Sequence, residues 1–231
     1  MRSVFITGAS RGLGLEWVRQ YAKAGWRVYA TCRHPEEAAE LKALADKQGA
    51  VSVHRLDVCD AEQLRTLRLD LDEARIDVLL NNAGVYLDKF TGDLGGIDYE
   101  AWLRSFAVNT LGAVRVTEAF IEPLASSEKR LVVAITSHMG SIAEITSPGS
   151  YAYRSSKAAL NAAMKGLSCK LAERGVGVLL LHPGWVKTRM GGPDAPLTVE
   201  QSVTGMRSLV ERFVPEMNGR FFRYNGTEIP W

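Results

Sequence analysis

The chain has 231 residues, 46% hydrophobic and 23% charged, which suits one globular unit with a sizeable core. A formal net charge of +2 excludes the strongly basic surface of a nucleic-acid or anionic-membrane binder. Three scattered cysteines (Cys32, Cys59 and Cys169) exclude a disulfide framework or cysteine metal site, and no apolar run approaches the ~18 residues of a membrane span, so a cytoplasmic protein is expected.

Short β-branched runs alternate with longer helical stretches. Residues 4–7 read as a strand and 13–23 as a helix, joined by Thr7-Gly8-Ala9-Ser10-Arg11-Gly12-Leu13-Gly14. Glycines at this spacing permit a tight turn and let backbone N–H groups approach a pyrophosphate, with the helix N-terminus adding favourable electrostatics. A strand at 27–32 ends in Cys32-Arg33-His34-Pro35. An acid usually stands near this place to bond a ribose 2′-hydroxyl, yet none occurs between Arg27 and Glu36. Arg33 and Arg11 instead offer two guanidinium groups to a 2′-phosphate, which favours NADP(H) and leaves NAD(H) possible.

Helices at 36–47 and 61–74 flank a strand at 51–56, which ends in Asp57-Val58. Asp57 also suits the N-cap of the following helix. The strand at 78–80 closes with Asn81-Asn82-Ala83-Gly84, either a ligand-facing run of small residues or a plain turn. A helix at 99–121, stopped near Pro123, carries Asn109 among the core residues Trp102, Phe106, Val116 and Phe120. A buried amide there needs a partner.

A strand at 131–136 runs directly into Ser137. A helix at 151–173 places Tyr153 and Lys157 four residues apart, on one face. An ammonium beside a phenol stabilises the phenolate and draws its pKa toward the range useful for acid–base chemistry. Tyr151 has Ser155 in the corresponding position and suits a pocket wall or packing instead. The strand at 176–181 leads into Pro183-Gly184-Trp185-Val186-Lys187-Thr188, and a helix at 199–213 and a strand at 220–224 complete the chain. The loops at 86–96 and 185–196 are expected to be the most mobile. The helix at 155–171 is apolar almost all round, from Ala158 to Leu171, which predicts a homodimer or homotetramer.

Continuous apolar runs at 131–135 and 178–181 suit strands covered on both faces. The expected fold class is α/β: a single-domain Rossmann fold with a doubly wound parallel sheet of about seven strands and helices on both faces. A cofactor half at about 1–125 would be followed by a catalytic and substrate half at about 126–231. Ligands in such sheets sit outside the carboxyl ends of the strands, and every motif above falls at such an end.

The ordered set Thr7-Gly8-x-x-x-Gly12-x-Gly14, Asp57-Val58, Asn81-Asn82-Ala83-Gly84, Asn109, Ser137, Tyr153-x-x-x-Lys157 and Pro183-Gly184 resembles the short-chain dehydrogenase/reductases nearly end to end. Met139-Gly140-Ser141-Ile142, the stretch around Tyr151-Ala152-Tyr153 and the ending Gly226-Thr227-Glu228-Ile229-Pro230-Trp231 look most like the C-factor and sniffer carbonyl reductase group. The resemblance implies an NADP(H)-dependent oxidoreductase acting on a small carbonyl or alcohol. Tyr153 would give its proton to the carbonyl oxygen as hydride arrives from the nicotinamide, with Ser137 bonding that oxygen. Lys157 would lower the tyrosine pKa and hold the nicotinamide ribose, and Asn109 would order a water leading from Lys157 to solvent. Asp57 would bond the adenine amino group with Val58 against the ring. Pro183, Gly184, Val186 and Thr188 would face the nicotinamide. The alternative is a dinucleotide-binding signalling protein of the C-factor type with little turnover. Nucleotide-sugar epimerases and dehydratases among the extended relatives fit less well, because their glycine spacing differs.

Ser137 stands sixteen residues before Tyr153, a longer interval than is usual in the family. The surplus is expected to bulge around 144–149, where Pro148-Gly149 marks a turn. Ser141 is a neighbouring hydroxyl, but only Ser137 directly follows the strand. Met139, Ile145, Tyr86, Tyr151, Trp185 and Met190 are candidates for an apolar substrate lining. His138 and His182 are expected to be structural.

Overall fold

A computed structural model describes residues 1–89 and 93–231. Residues 90–92 of the loop expected at 86–96 lie outside the described residues. Seven strands form one parallel sheet in the order β3-β2-β1-β4-β5-β6-β7. They are β1 (Ser3–Ile6), β2 (Arg27–Cys32), β3 (Val51–Arg55), β4 (Val78–Asn81), β5 (Leu131–Ile135), β6 (Gly177–His182) and β7 (Arg220–Arg223). The helices are α1 (Gly12–Lys23), α2 (Ala39–Lys47), α3 (Ala61–Asp70), α4 (Tyr99–Phe106), α5 (Ala113–Ala119), α6 (Ile121–Ala125), α7 (Tyr151–Ala172) and α8 (Val199–Glu211). The fold is the expected doubly wound Rossmann arrangement.

Strand alternation builds two cores from one sheet. Val4 and Ile6 of β1 join Trp17, Leu41 and Met206 beneath α1, α2 and α8. Phe5, between them, joins Leu64, Phe120, Leu160 and Met164 beneath α3, α5 and α7. Chain order reverses between β1 and β4, the point where such sheets open a crevice for ligands.

The helix expected at 99–121 is interrupted. Ala107–Gly112 is a π-helical segment, and Phe120 breaks the run again before α6. Pro123 lies inside the first turn of α6, where its missing N–H costs no intrahelical bond, so it does not stop the helix. The surplus residues before α7 form a short 3-10 turn, His138–Gly140, followed by an irregular loop, as the turn at Pro148-Gly149 suggested. After β7 the chain folds back on itself. Arg223 N–H donates to Thr227 O at 2.7 Å, Ile229 N–H to Phe221 O at 2.8 Å, and Ala143 N–H to Trp231 O at 3.0 Å.

Candidate active site

The glycine loop and the β4 end are built against each other. Thr7 Oγ1 accepts from the N–H groups of Asn82 and Ala83, each at 3.0 Å, and Asn82 Nδ2 donates to Thr7 O at 2.9 Å and Gly8 O at 3.2 Å. Gly8 has φ +67°, and a Cβ there would lie 2.9 Å from Ala83 Cα, so only glycine fits. A Cβ on Gly14 would collide with Gly8 O. Ser10 and Leu13 are half-buried, while Arg11 is exposed at the N-terminus of α1. The methyl group of Thr188 comes within 3.5 Å of where a Gly12 Cβ would stand, so the segment after β6 meets the glycine loop.

Arg33 is exposed at the β2 end. Among the described residues neither Arg11 nor Arg33 takes part in an ion pair. Glu36, the nearest acid, is engaged by Arg55 at 2.8 Å. The crevice therefore combines close backbone approach with two available guanidinium groups, which fits a dinucleotide carrying a 2′-phosphate.

Asp57 is not the N-cap of α3. Asp60 takes that place, accepting from Glu62 and Gln63 N–H. Asp57 instead closes a turn by accepting from Cys59 N–H at 2.9 Å. Val58 is buried against Gly112. Asn81 turns away from Thr7 into the helix layer, where Nδ2 donates to Thr117 Oγ1 at 2.9 Å. Gly84 lies beside Asn109 and Lys157: a Cβ there would be 3.3 Å from Asn109 Oδ1 and 3.6 Å from Lys157 Nζ. Gly184, after Pro183, has φ +82°, and Val186 is buried and bridges to Leu197.

Tyr153 and Lys157 share a buried face of α7, 8% and 4% exposed. Ser137, two residues past the end of β5, faces the Tyr153 phenol and draws its pKa down. Ser141 is fully buried and accepts from Glu144 N–H at 3.3 Å. Lys157 Nζ donates to Ile135 O at 2.9 Å and stands 5.9 Å from the centre of the Tyr153 ring.

The expected lowering of the tyrosine pKa is overturned. Burial pushes the Tyr153 phenol up to about 12, and the donating Ser137 hydroxyl draws it only partly back. Burial likewise pushes Lys157 down to about 8. The ammonium donates to a backbone carbonyl and stands 5.9 Å from the ring centre, and desolvation is the largest influence on both groups.

Asn109 sits in the π-helical segment. Its Oδ1 accepts from Val85 N–H at 2.8 Å, and its Nδ2 donates to Val85 O and Ser156 Oγ, both at 2.9 Å. The amide thus clamps the β4 loop to α7, with both donors used and one lone pair of Oδ1 left to accept from a water.

Asp88 carries no local signal in the sequence, and Tyr86, a candidate for the substrate lining, packs instead on Tyr153. Asp88 accepts from the N–H groups of Ala152 at 2.7 Å and Tyr153 at 3.1 Å. Tyr86 stacks on the Tyr153 ring, centroids 4.2 Å apart and planes at 18°. Both reach α7 from the β4 loop, more than sixty residues earlier in the chain.

The candidate substrate lining is divided. Met139, Ile145 and Tyr151 line an apolar cavity of about 770 Å³ with Trp102, Ile142 and Ala158, on the side of α7 away from Tyr153. Trp185 and Met190 lie on the exposed segment after β6, where Trp185 Nε1 donates to Gly191 O at 2.8 Å and Lys89 Nζ donates to Met190 O at 3.1 Å. The His138 and His182 rings lie 4.7 Å apart, tilted at 47°, His138 pairs with Glu144 at 3.4 Å, and Arg223 also pairs with Glu144. Burial holds His182 down at about 3.

The family model for the short chain dehydrogenase matches residues 2–196. The chain belongs to the short-chain dehydrogenase family. This short-chain dehydrogenase is 46% identical over 168 residues to the C-signal of Myxococcus xanthus, covering 73% of the chain and 100% of that protein. Its fold matches the carbonyl reductase Sniffer of D. melanogaster with a TM-score of 0.92 at 32% identity, covering 100% of both chains. It also matches an NADPH-bound carbonyl reductase from chicken fatty liver with a TM-score of 0.91 at 29% identity, covering 100% of this chain and 99% of that one. Among the described residues no helix is long and apolar enough to cross a membrane.

Proposed function

We propose that this short-chain dehydrogenase is an NADP(H)-dependent carbonyl reductase, interconverting a small carbonyl compound and its alcohol with Tyr153 as proton donor and acceptor. The observation that carries the reading is the buried Tyr153 phenol, faced by Ser137 and overlain by Lys157, beside a glycine-built crevice. Gly8, Ser10, Gly12, Leu13 and Gly14 would hold the pyrophosphate, and Arg11 and Arg33 the 2′-phosphate. Asp57 and Val58 would hold the adenine, with Asn82, Ala83 and Gly84 giving room for close approach. Asn81 would support that loop from the helix layer. Pro183, Gly184, Val186 and Thr188 would border the nicotinamide. When bound, the dinucleotide supplies the hydride.

A phenol held at about 12 stays protonated at neutral pH, the state a donor to a carbonyl oxygen requires. Ser137 can donate to the same oxygen as it gains charge. Lys157, near 8, is largely cationic at neutral pH and stabilises the phenolate left when the proton departs. Asn109 keeps the β4 loop and α7 in fixed relation.

Fluorescence titration with NADPH and NADH, followed by turnover of a panel of aldehydes, ketones and quinones, tests the reading. Tighter NADPH binding and measurable turnover are expected. No turnover across the panel would overturn the enzyme reading. Arg33→Asp should shift preference toward NADH by about tenfold, the scale of one lost charge-assisted contact; unchanged NADPH affinity would remove Arg33 from the cofactor site.

The likeness to the C-signal favours a second reading, a dinucleotide-binding signalling protein with little turnover. The set Asn109, Ser137, Tyr153 and Lys157 supports the enzyme instead, since a binder needs no proton donor. A cytoplasmic homodimer or homotetramer belongs to the same proposal. Ala162, Gly166 and Cys169 form an exposed face of α7, and Tyr99, Leu103 and Leu111 are exposed apolar residues on and just after α4. A monomer in light scattering at micromolar concentration would exclude that assembly.

A further inference from the structure

The first turn of α7 is held in an unusual way. Ser150, its N-cap, has φ +55° and makes no capping bond through its own side chain. A left-handed serine is strained and persists only where its surroundings enforce it. Helix-start N–H groups are ordinarily satisfied by a nearby capping residue. Here the cap is Asp88 on the β4 loop, whose two carboxylate oxygens take the Ala152 and Tyr153 N–H groups at 2.7 and 3.1 Å. Tyr86, two residues earlier, completes the grip: its hydroxyl bonds Ser150 Oγ, and its ring stacks on Tyr153 at 4.2 Å.

We propose that Tyr86 and Asp88 are positioning residues for Tyr153, fixing its backbone N–H and the plane of its ring from the loop that also faces the dinucleotide crevice. The inference rests on the reading of Tyr153 as proton donor. The link is continuous. Asn82 and Ala83 dock on Thr7, Asn109 clamps Val85 at both N–H and carbonyl, and Tyr86 and Asp88 then seize the start of α7. The β4 loop therefore sets the distance between the cofactor crevice and the phenol. An error of about 1 Å in such a distance costs on the order of a hundredfold in rate. Neither residue touches the phenolic oxygen by a hydrogen bond in the structure. Their effect runs through the placement of Tyr153.

The experiment measures kcat and KM on whichever carbonyl of the panel is turned over fastest, together with the NADPH dissociation constant by fluorescence and the melting temperature. Asp88→Ala should lower kcat roughly tenfold or more while NADPH binding stays unchanged. Asp88→Asn should recover part of the loss, because the amide oxygen still accepts one N–H. Tyr86→Phe and Ser150→Ala delete the same hydrogen bond, so each should lower kcat by a similar factor and the double variant should be no worse than either. Unchanged kcat in Asp88→Asn and Tyr86→Phe, with only the melting temperature reduced, would overturn the proposal and leave a structural role. Additive losses in the double variant would overturn the Tyr86–Ser150 part of it. Tyr153→Phe serves as the reference: turnover that survives it removes the proton-donor reading and this inference together, whereas turnover lost there but intact in the loop variants removes the inference alone.

Discussion

Two tyrosines on the first turn of α7, Tyr151 and Tyr153, meet opposite environments. Tyr153 is buried, faced by Ser137 and stacked by Tyr86. Tyr151 is only half-buried and lines the apolar cavity with Trp102, Met139 and Ile145. On the Tyr153 side the strand ends supply the polar surroundings: Ile135 O for Lys157, Ser137 facing the phenol, and the β4 loop for the backbone N–H. On the Tyr151 side Trp102 Nε1 donates to Ser155 Oγ at 2.9 Å, and Ser155 Oγ in turn donates to Tyr151 O. The difference shows that the chemistry is set by which sheet loops reach the helix face, and the residue type alone decides little.

Substitutions across the two faces break or sharpen this contrast. The largest effect is expected from Tyr153→Phe, which should reduce turnover by about 10²–10⁴ with NADPH binding intact; steady-state kinetics and fluorescence titration check it. Lys157→Met should abolish most turnover yet stabilise the fold at neutral pH by about 1–3 kcal/mol, because burial disfavours the cation. The sign follows from the depressed value of about 8. The folded state releases the Lys157 proton more readily than the unfolded chain, so the cost is full below about pH 8 and fades as pH rises toward the ordinary lysine value near 10.5. Urea denaturation of both proteins at pH 7 and 10 should show the gap closing at the higher pH.

His182 gives the opposite limb. Its pKa is held at about 3, so stability should fall as pH drops from about 6.5 toward 3, where the unfolded chain takes a proton the folded one refuses. His182→Leu should flatten that slope in acid denaturation. On the far face of α7, Ser155→Ala removes the Trp102 hydrogen bond and should cost about 0.5–1.5 kcal/mol with kcat unaltered. Tyr151→Phe has the smallest expected effect, leaving turnover unchanged. A loss from Tyr151→Phe comparable to that from Tyr153→Phe would dissolve the distinction between the faces.

Much of this arrangement was legible before any coordinates. The apolar runs at β1, β5 and β6, the glycines around Gly8 and Gly14 at the end of β1, and the Tyr153–Lys157 spacing on α7 are all local signals. The π-helical segment at Ala107–Gly112 was not legible, because one surplus residue per turn leaves the apolar periodicity nearly intact. Asp88 was equally silent, since its partners lie sixty-four and sixty-five residues away. The acidity of Tyr153 was misread because spacing reports which groups are neighbours and says nothing of how much water they lose.

The return of the chain after β7 has a consequence for handling the protein. The backbone groups of Phe221 and Arg223 that face outward at the margin of the sheet are taken up by Ile229 and Thr227, and Arg220 pairs with Glu228 across the same fold. Trimming the residues beyond Asn225 would uncover a bare apolar rung at Phe221 and Phe222, inviting chains to stack rim to rim.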